Sequence, residues 1–228
     1  MTYHRDPSQI DLDEVRGDIA GRTLSPKRRI LGEALEERFG LLKAQGITTL
    51  AQLIEATKSK QAIAGTAGES GLPEEYLVIL GREARGYLPK PIDLSRIPDV
   101  SPEVVEKLNS SGLKDSKKLW EWSRGHAPEP EIQPFVEMCD LARVPGVGPV
   151  FAKLLHLAGY RTTAELAQAD LDELDRRLRE ANAGNRYTSV TASKTELEGC
   201  IRWARLLSEE ERAKNTLPMG LGRVTDGH

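Results

Sequence analysis

The sequence predicts an all-α fold of repeated helical units with no sheet. Three observations carry this. First, 39% of the 228 residues are hydrophobic but only 5% are aromatic, so the core must be chiefly Leu, Ala, Val and Ile. Such a core suits packed helices better than a β-sandwich. Second, no run of alternating β-branched residues is long enough for a strand. Third, the chain repeats itself. Asp93-Leu94-Ser95-Arg96-Ile97-Pro98-Asp99-Val100 returns 47 residues later as Asp140-Leu141-Ala142-Arg143-Val144-Pro145-Gly146-Val147. The register then holds without a gap, placing Pro102 on Pro149, Leu108 on Leu155 and Gly112 on Gly159.

A shared punctuation mark divides the chain into units. Gly46, Gly112 and Gly159 are each followed by an apolar or aromatic residue, then an N-cap candidate, then Leu, at one spacing. Glycine supplies the left-handed residue that ends a helix. Thr49, Asp115 and Thr162 can then accept from the N–H groups that open the next. Thr49 with Gln52 and Thr162 with Glu165 have capping-box spacing, whereas Asp115 faces Lys118. Helices are expected to start near Ser25-Pro26, Thr49, Pro73, Pro102, Asp115, Pro134, Pro149, Thr162, Asp170 and Ser193. The last shows helical period at Leu197, Cys200, Ile201, Ala204 and Leu207. The resulting division is a polar segment over 1–25, units over 26–92, 93–139 and 140–208, and a mobile tail over 209–228. Gly125 to Pro130 reads as a linker, and Lys58-Ser59-Lys60 as a solvated loop.

The sharpest local signal is Val144-Pro145-Gly146-Val147-Gly148-Pro149-Val150-Phe151-Ala152-Lys153. A helix ends, the two glycines make a tight turn, and a helix begins. Backbone N–H groups at such an N-terminus can approach an anion closely. Val147 can plug the turn into the core, and Ala152 lets the two helices cross at short range.

These residues resemble the helix-hairpin-helix motif of DNA repair and recombination proteins, which has Gly-apolar-Gly in its hairpin and a small residue four positions on. The match covers Gly146, Val147, Gly148, Ala152 and Leu155. It departs at Val150, where many DNA-binding members carry Lys or Arg. From about residue 30 to 208 the chain also resembles an uncharacterised bacterial family of tandem helix-hairpin-helix units. The resemblance rests on Gly46-Ile47-Thr48-Thr49, Asp93-Leu94-Ser95-Arg96-Ile97 and Ile201-Arg202-Trp203-Ala204. It implies three tandem units of SAM-like helical architecture and leaves activity open.

The three hairpins differ in charge. In the second, Asp99 and Ser101 stand where the third has Gly146 and Gly148, and Asp99, Glu103 and Glu106 face only Lys107. A phosphate would be repelled there. In the first, the aligned positions are Glu33 and Leu35, with Lys27, Arg28 and Arg29 just before them. The third is a basic island. From Leu141 to Thr163 there are Arg143, Lys153 and Arg161 and no acid. The expected phosphate site is therefore Gly146, Val147, Gly148 and Val150 through their main chain, with Arg143, Lys153 and Arg161 supplying charge.

The function expected is sequence-independent binding of a DNA or RNA backbone without catalysis. The competing expectation is a protein-interaction scaffold or self-associating adaptor whose glycines only shape turns, because two hairpins lack phosphate chemistry and the net charge is −3. No Ser-His-Asp, paired-carboxylate or Cys-His arrangement occurs around His4, His126, His156 and His228, and no phosphate-loop motif is present. No cofactor or metal is expected, and Cys139 and Cys200 read as buried, reduced thiols. At least one of Trp120 and Trp122 should be core, and Trp203 should pack on a neighbouring unit. The N-terminus has no signal-peptide core and no apolar run approaches a membrane span, so a cytoplasmic location is expected.

Overall fold

Three left-handed glycines set the rhythm of the chain. The structure is a computed structural model that describes residues 2–216. It is helical throughout and holds no strand among the described residues, only the isolated bridges Asp11 to Thr49 and Asp93 to Asp115. Twelve α-helices follow in order: α1 (Leu12–Ala20), α2 (Leu35–Ala44), α3 (Leu50–Ala56), α4 (Lys60–Ser70), α5 (Glu74–Gly86), α6 (Pro102–Ser110), α7 (Ser116–Ser123), α8 (Gln133–Leu141), α9 (Pro149–Leu157), α10 (Thr163–Leu166), α11 (Leu171–Ala181) and α12 (Lys194–Thr216).

Gly46, Gly112 and Gly159 follow α2, α6 and α9 with φ of +78°, +80° and +92°. Each glycine N–H bonds back three residues, and the next N–H bonds back five, from Ile47 to Leu42, Leu113 to Leu108 and Tyr160 to Leu155. This double closure satisfies the last carbonyls of each helix. The chain then turns at Thr49, Asp115 or Thr162, whose side chain accepts from the N–H of Gln52, Lys118 or Glu165. The Thr49 capping box is complete. The Glu165 carboxylate reaches instead to the N–H of Arg161, one residue earlier.

The two ends of the chain differ from expectation. The segment 1–25 carries α1, capped by Asp11, and buries Tyr3, Ile10, Leu12, Val15 and Ile19. Tyr3 inserts against Trp120 edge-on, with ring centroids 5.9 Å apart, and bonds the Ser116 hydroxyl. The other end continues α12 to Thr216, so 209–216 is helix rather than tail. Glu210 and Glu211 tie this extension to Arg5 and Arg143. The rest of the expected tail, 217–228, lies outside the described residues.

Two further departures concern α4 and the first hairpin. Ser59 caps α4 through the Ala62 N–H, so the stretch read as a loop opens a helix. Pro26–Gly32 is a 3₁₀ turn, and the left-handed residue before α2 is Ala34, φ +46°, one position after the aligned Glu33. The left-handed residue here is thus offset by one position from the aligned one, and it is not a glycine. Trp120 is buried, while Trp122 is half-buried and stacks on His126. One continuous apolar cluster runs from Tyr3 to Leu207, and α12 lies across α10 and α11.

Candidate phosphate-binding cleft

The turn between α8 and α9 is built from local rules. The Val147 N–H closes a turn on the Val144 carbonyl at 3.0 Å, and Gly146 takes φ +86° to let it close. Gly148 is extended, φ −87° and ψ −178°, and its carbonyl accepts the first helical bond from Ala152 at 2.8 Å. Pro149 fills the first helical position, where no N–H is needed. Ala152 is fully buried, which lets α9 approach α8 closely.

The opening of α9 is left uncapped. Gly148 has no side chain to offer, and the N–H groups of Gly146, Gly148, Val150 and Phe151 donate to nothing among the described residues. The second hairpin shows the contrast. Asp99 takes the left-handed conformation of Gly146 at φ +56°, and the Ser101 hydroxyl fills the place of Gly148, accepting from the Val104 N–H. Asp99 itself is held by the Tyr187 hydroxyl at 2.6 Å and by Arg186 at 3.1 Å, reaching in from the loop after α11. The Tyr187 bond, with help from Arg186 and Lys153, holds the Asp99 carboxyl below the usual range.

The uncapped hairpin lines a cleft of about 1000 Å³. One wall of it comes from α1 and α5, with Arg22, Glu83 and Tyr87, and α12 lines it at Leu197, Cys200 and Trp203. Loop residues between 182 and 192 line it as well. Two carboxylates in this wall are neutralised in place. Asp18 accepts from the Tyr87 hydroxyl at 2.6 Å and pairs with Arg22 at 3.2 Å and with Arg202; Glu83 pairs with Arg22 and with Arg28 at 2.9 Å. Burial pushes the Tyr87 hydroxyl well up, so it stays a proton donor to Asp18. Tyr87 also packs on Trp203, centroids 5.0 Å apart, which holds this face of α12 against the end of α5. Arg82 and Arg96 line the cleft, are exposed, and make no ion pair among the described residues.

The structure redistributes the residues expected from sequence. Gly146, Gly148 and Val150 line the cleft. Val147 does not: its side chain is buried and its N–H is spent on the turn. Arg143 is a correction. It is 1% exposed, donates to the Tyr3 carbonyl at 2.8 Å, to Asp140 at 2.6 Å and to Glu211, and lies 4.1 Å from the Trp120 ring centroid. A side chain so enclosed cannot meet a ligand. Arg161 is more than half exposed, but it lies outside the cleft lining and pairs with Glu137 at 2.8 Å. His156 joins the same carboxylate at 2.8 Å. Burial opposes ionisation of Glu137, but hydrogen bonds from Gln133, Arg161 and His156 outweigh it and hold the carboxyl below its ordinary value. Lys153 is half-buried, sits outside the cleft lining, and acts electrostatically on Asp99. Two of the three cations of the basic island are therefore already paired, Arg143 with Asp140 and Glu211 and Arg161 with Glu137.

Sequence reasoning missed Arg82 and Arg96. A signal for Arg96 was present, since it is the repeat counterpart of Arg143. One copy faces the core and the other the cleft mouth.

Residues 98–207 match the family model of a domain of unknown function, DUF4332. The match takes in α6 to α11 and α12 as far as Leu207. No curated protein and no solved structure matches the chain. No helix among the described residues is long and apolar enough to cross a membrane.

Proposed function

We propose that this protein is a non-catalytic nucleic-acid-binding protein made of three tandem helix-hairpin-helix units, only the third of which holds phosphate. The observation that carries the reading is the uncapped opening of α9. Unpaired N–H groups of Gly148, Val150 and Phe151 meet in a cleft that also holds the unpaired arginines Arg82 and Arg96. Helix N-termini favour anions through these donors and the helix dipole. Main-chain and guanidinium contacts of this kind position a backbone without reading its sequence. The charge comes from Arg82 and Arg96 rather than from Arg143 and Arg161.

The test is a binding titration against salt. Nonspecific affinity is expected at about 10⁻⁴ to 10⁻⁶ M. With two phosphates neutralised, log affinity should fall against log salt with a slope of about −1.4 on a single strand or about −1.8 on a duplex. Absence of binding at low salt removes the proposal.

One observation favours a scaffold reading instead. The second hairpin already receives a side-chain pair, Tyr187 and Arg186, from the same chain. A hairpin can thus serve as an internal docking point, and capture of a specific protein partner with no nucleic-acid binding would select that role.

A further inference from the structure

The Gly146–Gly148 hairpin lies at a concave cleft. Residues of α1, α5, α12 and the loop after α11 line the same cleft. The cleft volume, about 1000 Å³, is at the upper end of the range typical of small-ligand sites. A B-form duplex is a poor occupant of such a space. Its major groove alone is about 12 Å wide, and it bends smoothly only over about 50 nm. Its phosphates can be reached by a hairpin that stands clear of its neighbours, but here the α9 opening shares one concave cleft with residues of α1, α5 and α12.

We propose that the cleft takes single-stranded nucleic acid in preference to duplex, with one or two nucleotides inside. This rests on the phosphate-binding reading of the same cleft and specifies its ligand. A single strand can turn at each nucleotide and present a phosphate to the α9 opening while a base leaves the stack. The cleft offers that base an apolar surface at Phe151, Leu154 and Leu178. The exposed guanidiniums of Arg82 and Arg96 can pair with flanking phosphates or lie on a base face. Asp18 and Glu83 in the α1–α5 wall do not oppose this, because Arg22, Arg28 and Arg202 already hold them.

The experiment is fluorescence anisotropy with a labelled oligodeoxythymidylate of about twelve nucleotides and a blunt duplex of equal length. Both are titrated with the whole protein at about 50 and about 200 mM salt. The single strand is expected to bind at least tenfold more tightly than the duplex, an advantage of roughly 1.4 kcal/mol. Arg82→Glu and Arg96→Glu should each weaken single-strand binding severalfold, while Arg176→Gln on the outer face of α11 should not. Circular dichroism of each variant confirms that it is folded. A duplex bound as tightly as the strand overturns this inference and leaves phosphate binding standing. Binding of neither probe overturns both. Strand binding insensitive to Arg82 and Arg96 places the strand elsewhere and overturns the inference together with the site.

Discussion

Replacing Gly148 by Asp separates the two uses of the α9 opening. Gly148 is extended, φ −87°, so any residue fits its backbone, and a Cβ there would meet nothing within 4 Å. An Asp side chain should accept from the free N–H groups of Val150 or Phe151, as Asp115 does at α7 and Asp170 at α11. Three small terms favour the folded state. An aspartate cap exceeds glycine by a few tenths of a kcal/mol, on the order of 0.3. Removing a glycine restricts the unfolded chain, worth about 0.4–1 kcal/mol. A carboxylate at a helix N-terminus adds about 0.3–1 kcal/mol. Together they give about 1–2 kcal/mol, or roughly 2–8 °C in Tm for a chain of this size. The same carboxylate occupies the proposed anion position, so nucleic-acid affinity should fall at least tenfold. Calorimetry and anisotropy on one preparation read both effects. A variant that is more stable and binds as well as the parent refutes the anion site. One that is less stable refutes the capping argument.

Other perturbations follow from the same geometry. Gly159→Val should cost about 1 kcal/mol or more, because a β-branched residue resists the φ of +92° found there; an unchanged Tm would remove the role of that glycine as a stop. Arg143→Ala should cost about 3 kcal/mol, since it leaves Asp140 and Glu211 without their buried partner, yet should not alter the salt slope of binding, and a flatter slope would return Arg143 to the site. Glu137 has its pKa depressed in the folded state, so its contribution is complete above the unfolded value of about 4.3 and is lost as pH falls through the lower folded one. The stability difference between the parent and Glu137→Gln should therefore shrink in that acidic window, and a difference constant with pH would contradict the assignment.

What was legible in the sequence was local. The stop glycines, the N-caps at Thr49, Asp115 and Thr162, and the Gly-Val-Gly turn each depend on a few neighbouring residues, and the structure places them as their chemistry dictates. α1 was hidden because Asp11, Asp13, Glu14, Arg16 and Asp18 make its segment look polar, although Leu12, Val15 and Ile19 keep a helical spacing. Ser59 was obscured in the same way by Lys58 and Lys60. The charge of the site was not legible at all. Whether an arginine is free depends on partners distant in sequence. Arg143 meets Tyr3 and Glu211, while Arg96, with the same neighbours in its repeat, meets solvent.

The boundary at residue 98 divides the cleft by chemistry. The matched stretch contributes the hairpin, the α12 lining and the loop, whereas Arg82, Arg96 and the α1–α5 wall all lie before it. Tyr3, which seals Trp120 and receives Arg143, lies before it as well. A fragment confined to 98–207 would keep the donors of α9 but lose both free guanidiniums, and would bare an indole and an arginine that the whole chain keeps enclosed. The preceding residues are thus a prosthesis for the matched stretch, adding a further wall and two free guanidiniums to the cleft that it begins.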